Sequence, residues 1–168
     1  MRKAVLSILF SLTIFTSFAL AQQFRWTQLP NSPIPDTTDG RFEDIYFCDA
    51  NTGFAIVQSG KVYKTTDGGS SWVNSAFTVN NNRSVGFFTP SIGIIGTLDS
   101  NNLLYRTTNG GFNWTEISPS IQGVKPKGIC GISIVDENTA YGVGRYYCPS
   151  NLIKTTNGGL NWISIPID

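Results

Sequence analysis

The reactive inventory of this 168-residue chain is eleven carboxylates, twelve lysines and arginines, three cysteines and no histidine. Without histidine, Ser-His-Asp and Cys-His catalysis, imidazole zinc sites and histidine pH switching are excluded together. The carboxylates that stand side by side are Glu43-Asp44 and Asp136-Glu137. A general acid–base pair must face one cavity across roughly 5 to 9 Å. Neighbours in a strand point to opposite faces, which separates Glu43 from Asp44. Asp136 and Glu137 fall in a turn, where acidic side chains serve the backbone. These residues read as non-catalytic, and no pattern calls for a metal or a cofactor. Binding is the better prospect: Arg145, Tyr146 and Tyr147 sit in a loop inserted at 145–151, and an arginine beside two tyrosines suits contact with a partner. The competing reading is a surface loop whose aromatics pack on a neighbour and which Cys130 and Cys148 tie down. In an oxidising compartment that pair would close a loop worth roughly 3 kcal/mol. Cys48 is left odd and reads as a small buried hydrophobe at a strand end.

The elements that must position these groups repeat. VYKTTDGGSSWV at 62–73, LYRTTNGGFNWT at 104–115 and IKTTNGGLNWIS at 153–164 share Thr-Thr-Asp/Asn-Gly-Gly-x-x-Trp. Trp72, Trp114 and Trp162 lie 42 and 48 residues apart, the spacing of a four-stranded propeller blade. Each repeat reads as four short strands; in the first they fall at 44–47, 53–57, 61–65 and 72–77. Repeats are expected at about 41–77, 83–118 and 127–168 within one domain, 22–168. Trp26-Thr27-Gln28-Leu29 matches Trp114-Thr115-Glu116-Ile117 without the preceding box, so the chain is expected to enter on the last strand of a blade. A linker or turn over 31–40 follows.

The box itself is hairpin chemistry. Thr66, Asp67, Gly69 and Trp72, with Thr108, Asn109, Gly111 and Trp114 and then Thr156, Asn157, Gly159 and Trp162, are structural residues. The Asp or Asn oxygen is expected to accept amides two residues on, and the glycines to supply positive φ. The tryptophan should fold beneath the turn and dominate it: its burial is worth about 4 to 6 kcal/mol at most, against roughly 1 kcal/mol for a net hydrogen bond. Because Asp67 is charged where Asn109 and Asn157 are neutral, the first hairpin is expected to be the firmest. Asn82-Arg83-Ser84 and Asn113-Trp114-Thr115 fit the glycosylation pattern, the second by chance within a box.

At the N-terminus Arg2 and Lys3, an apolar run over 4–18 and Ala19-Leu20-Ala21 form a secretory signal over 1–21. The protein is therefore expected to be exported, extracellular or periplasmic, with no membrane span after cleavage. Losing Arg2 and Lys3 leaves ten basic against eleven acidic residues, and charged residues are 14% of the chain, so nucleic acid is not a partner.

The phrases FEDIYFCDANTGFAIVQSGKVYKTTDGGSSW and YGVGRYYCPSNLIKTTNGGLNW resemble the photosystem II stability/assembly factor-like family of Asp-box repeat proteins. They resemble the sortilin ectodomain and bacterial sialidases more loosely. The resemblance covers nearly all of the chain after the signal. It implies an all-β propeller that binds protein and supports assembly of a complex, in the thylakoid lumen if the organism is photosynthetic. The alternative it implies is a glycan-binding module or a remnant of a sialidase-like hydrolase. Against the latter, Arg25-Trp26 is not followed by the isoleucine-proline of the sialidase arginine. Three blades are fewer than the four to eight that close a propeller. The chain is thus expected to be a partial propeller, completed within a longer chain, by another protein, or by a second copy in a homodimer. The partner is expected to be a protein or a cell-surface glycan.

Overall fold

The computed structural model describes residues 27–34, 38–75, 80–144 and 151–167. The first sheet holds β1 (Phe42–Phe47), β2 (Gly53–Val57), β3 (Val62–Thr65) and β4 (Val73–Ser75), in sequence order and antiparallel. The second repeats this with β5 (Asn82–Phe87), β6 (Gly93–Thr97), β7 (Leu104–Thr107) and β8 (Thr115–Glu116). The third contains β9 (Ile121–Gln122), β10 (Ile129–Ile134), β11 (Ala140–Gly144), β12 (Asn151–Thr155) and β13 (Trp162–Pro166). Each first strand carries a register shift at the same place, between Phe42 and Asp44, Asn82 and Ser84, and Ile129 and Gly131. The repeat in the sequence is therefore a repeat of backbone geometry, bulge included.

Two expectations change. The third sheet has five strands, not four, because β9 adds to its outer edge in parallel with β13, pairing Ile121 with Trp162. The chain leaving β8 turns at Ser118–Ser120, with Pro119 at the start of that turn, and passes beside β13 before entering β10. The strand expected from Trp26 onward is not formed over 27–29, and Trp26 itself lies outside the described residues. Leu29 lies against the glycine turn of the first box, 3.3 Å from where a Cβ on Gly69 would stand.

The sheets stack face to face as propeller blades, with β1, β5 and β10 adjoining along one edge. Between blades one and two lie Phe54, Ile56 and Val62, facing Val85, Phe87, Ile95 and Tyr105. Phe54 and Phe87 stack with ring centroids 3.6 Å apart and planes 9° from parallel. Between blades two and three Phe88, Ile94, Leu103 and Leu104 meet Ile121, Ile129, Ala140, Ile153 and Trp162. Glycine lets the first strands approach: a Cβ on Gly86 would come within 2.9 Å of both Ile132 and Ile134. β2 and β6 are each buried at every residue. On the outward faces of the end blades, Ile45 and Ile163 are each 59% exposed.

Candidate functional site

Each box closes around a threonine. Thr65 Oγ1 accepts the amide of Gly69 at 2.8 Å and donates to Asp67 Oδ1 at 2.8 Å. Thr107 does the same with Gly111 (3.0 Å) and Asn109 (3.0 Å), and Thr155 with Gly159 (3.2 Å) and Asn157 (3.0 Å). These are the first threonines of each pair and are buried; Thr66, Thr108 and Thr156, which the motif singled out, are exposed. Asp67, Asn109 and Asn157 accept the amides of Ser71, Asn113 and Asn161, four residues on and not two. Two consecutive glycines at positive φ, Gly68 at 68° and Gly69 at 91° in the first box, curl the chain far enough for this longer reach.

The indoles close the turn from below, each Nε1 donating to the second glycine's carbonyl: Trp72 to Gly69 at 3.1 Å, Trp114 to Gly111 at 3.1 Å, Trp162 to Gly159 at 3.3 Å. The burial expected of all three holds only for Trp162, at 0% exposure, while Trp72 and Trp114 are half-buried. Among the described residues, β9 closes the outer edge of blade three, and its Ile121 packs in the same core as Trp162. Asp67 has one bond its counterparts lack, from the Ser71 hydroxyl to Oδ2 at 2.6 Å. That hydroxyl, the Ser71 amide and the Thr65 hydroxyl hold the carboxyl at about 2.

The boxes also join the blades. Lys64 Nζ, on β3, donates to the carbonyl of Gly110 at 3.1 Å, and Arg106 Nε, on β7, donates to Gly158 at 2.9 Å. In both cases a cation from one blade holds the first box glycine of the next. The second glycine sits over an apolar residue of the preceding blade: a Cβ on Gly111 would lie 3.1 Å from Phe54, and one on Gly159 would lie 2.7 Å from Ile94. Neither cation nor apolar seat was legible as such, although the Lys-Thr-Thr and Arg-Thr-Thr phrases place a cation at a fixed offset before each box.

Three of the four acidic residues weighed as catalysts, Glu43, Asp44 and Asp136, are engaged structurally. Glu43 pairs with Arg41 at 2.8 Å and Arg83 at 2.5 Å. Asp44 accepts the amides of Ile45 and, across the blade junction, Val85, each at 2.9 Å. Asp136 accepts the amides of Asn138 and Thr139, which hold its pKa below the usual carboxylate range. Among the described residues no cluster of three or more acidic or cysteine side chains is arranged to hold a metal ion. Asn82 is fully buried, so its glycosylation pattern is closed to a transferase in the folded protein.

Cys48 is half-buried against the first core, and burial, with Asp49 nearby, pushes its thiol up to about 11. At neutral pH it is held in the protonated thiol form. Cys130 is exposed on β10; its expected partner Cys148 lies outside the described residues, as do Arg145, Tyr146, Tyr147 and the signal segment 1–21. Gly144 and Asn151 bracket that loop at the β11–β12 turn. In an antiparallel blade this is the end opposite the boxes. A groove of about 520 Å³ runs along the open face of blade one, lined by Leu29, Pro33, Phe42, Ile45, Ala55 and Trp72. No helix among the described residues is long and apolar enough to cross a membrane.

The family model described as photosynthesis system II assembly factor YCF48 matches residues 21–168. Among solved structures, YCF48 bound to D1 peptide aligns with a TM-score of 0.59 and 21% identity, covering 82% of this chain and 41% of that one. YCF48 from Cyanidioschyzon merolae aligns at 0.53 and 25% identity, covering 77% and 41%. The GH74 enzyme of Niastella koreensis aligns at 0.58 and 24% identity, covering 76% and 23%, a likeness of fold. The chain thus spans about two fifths of the YCF48 structures it matches. No curated protein matches it.

Proposed function

The chain belongs to the photosynthesis system II assembly factor YCF48 family, and from that premise we propose that it is an exported, non-catalytic propeller module that binds a segment of a partner protein and supports assembly of a complex. The observation that carries this is the family match over 21–168, together with a similar structure whose occupant is a peptide. The engagement of Glu43, Asp44 and Asp136 in structural bonds supports a binding role over a hydrolytic one. The loop with Arg145, Tyr146 and Tyr147 is the proposed contact surface. The signal over 1–21 would deliver the protein to the periplasm, the cell exterior or, in a photosynthetic cell, the thylakoid lumen, and oxidation there would join Cys130 to Cys148. Completion of the three blades, by further blades or by a second copy, belongs to the same reading.

The test is capture of a partner from the exported compartment by wild-type protein and by the Arg145→Ala/Tyr147→Ala variant. The expected result is loss of capture with the tryptophan fluorescence of the fold unchanged. Equal capture by both proteins overturns the assignment of the loop. Binding or turnover of an oligosaccharide in place of a protein overturns the protein-binding role in favour of the glycan alternative.

A further inference from the structure

Asn109-Gly110 and Asn157-Gly158 are the two Asn-Gly dipeptides of the chain, and each stands in a box. Such a pair carries its own reaction. The glycine nitrogen, once hydroxide has taken its proton, attacks the Asn Cγ, and no Cβ on the glycine hinders the approach. A bond forms between that nitrogen and Cγ, the Cγ–Nδ2 bond breaks, and Nδ2 takes a proton from water and leaves as ammonia. Water then opens the resulting succinimide at either carbonyl, giving aspartate or isoaspartate.

The closed boxes engage both reacting groups. Gly110 N donates to Ser91 O and Gly158 N to Asn138 O, each at 2.9 Å and each to the turn between the first two strands of its own blade. Both glycines are buried, although Asn109 and Asn157 before them are exposed. Asn109 Oδ1 accepts the Asn113 amide at 2.9 Å and the Thr107 hydroxyl at 3.0 Å, and Asn157 Oδ1 accepts the Asn161 amide and the Thr155 hydroxyl at 3.0 Å each. These bonds fix the side chain while the buried amide is kept from hydroxide, so the box must open before it can react.

The two boxes differ in what opening breaks. Box three carries the fully buried Trp162 and the Arg106 bond to Gly158 O at 2.9 Å; box two carries the half-buried Trp114 and the Lys64 bond to Gly110 O at 3.1 Å. Both read Thr-Thr-Asn-Gly-Gly, so any difference between them is tertiary. Box one shows which product the fold accepts. Asp67 takes the Thr65 hydroxyl and the Ser71 amide just as the asparagines take theirs, whereas isoaspartate adds a methylene to the backbone and spoils that reach.

We propose that Asn109 and Asn157 are latent deamidation sites, that the bonded Gly110 and Gly158 amides confine the reaction to molecules whose box has opened, and that box two converts before box three. Deamidation is then a covalent record of box opening, and its aspartyl product turns an asparagine box into an Asp box with one more negative charge. The inference is independent of which protein the Arg145 loop binds.

The test is incubation of the purified protein in mildly alkaline buffer, with and without urea, with aspartate and isoaspartate counted at each site by peptide mass spectrometry. In urea the two sites are expected to react at equal rates. In buffer both are expected to be at least about 10-fold slower, the factor that about 1.4 kcal/mol of opening supplies, with Asn109 ahead of Asn157. Thr107→Val removes the hydroxyl that closes box two and should speed Asn109 by about 5-fold, the value of one net hydrogen bond, leaving Asn157 unchanged; Thr155→Val should do the reverse. The untouched box is the internal reference, because global unfolding would speed both sites together. Lys64→Met frees the Gly110 carbonyl without altering the box and should also favour Asn109, which decides the matter if a threonine variant unfolds. Equal rates in buffer and urea, Asn157 ahead of Asn109, or folded variants that leave the ratio of the two sites unchanged overturn the proposal.

Discussion

The first and third Asp-box hairpins are nearly the same sequence in opposite circumstances. The first has the better hydrogen bonds: a carboxylate at 67 that takes the Thr65 hydroxyl, the Ser71 amide and the Ser71 hydroxyl, with the Gly69 amide 2.8 Å from Thr65. The third has a neutral amide with two such bonds and a 3.2 Å contact at Gly159. Burial runs the other way. Trp162 is wholly enclosed by β9 and the second core, while Trp72 has Phe47 and Leu29 beside it and an open face beyond. Local bonding thus shapes each turn alike, while the surrounding elements set how deeply its tryptophan is buried.

The largest expected effect separates these two contributions. Trp162→Ala should cost about 3 to 5 kcal/mol in chemical unfolding, the range for a large aromatic removed from a core, and Trp72→Ala clearly less. Amide exchange should rank with burial, Gly159 slower than Gly69. Equal losses, or slower exchange at Gly69, would return the first hairpin to the rank its charge suggests.

Next comes the junction cation. Arg106→Met removes a partly buried donor from the Gly158 carbonyl and should cost about 1.5 to 3 kcal/mol, as bonds to charged groups do. Lys154, at the corresponding position of β12, has no following box among the described residues, and Lys154→Met should be nearly neutral. A comparable loss at both positions would mean that the cation acts within its own blade and not across the junction.

The smallest effect is the pH dependence of the first hairpin. With its folded pKa lowered to about 2, Asp67 contributes stability that is fully present above its unfolded value near 4 and lost as pH falls through about 2. Asp67→Asn should flatten that part of the acid limb of the unfolding curve, leaving the limbs from Asp49, Asp99 and Asp136 in place. An unchanged acid limb would show that the carboxylate is dispensable, as the asparagines of the other two boxes suggest.

Much of the architecture was legible because a box is complete within eight residues, from Thr65 to Trp72. The turn phrases on either side located β2 at the residues observed, 53–57. The role of Thr65 over Thr66 was not legible, because both are threonine and only strand register says which side chain turns inward. The strand β9 was not legible either. Two residues, Ile121 and Gln122, carry no period, and they are a strand only because β13 offers an edge.

The sequence by itself determined an all-β chain of three Asp-box blades, since the Gly-Gly turn, the strand period and the tryptophan spacing are local properties that repeat. The tertiary structure decided what the boxes are for beyond turning the chain. Lys64 reaches Gly110 and Arg106 reaches Gly158 over 46 and 52 residues of sequence, and no local pattern ranks such a pair above any other. Stacking the blades selects these contacts, because it brings one blade's cation and apolar seat against the next blade's glycines.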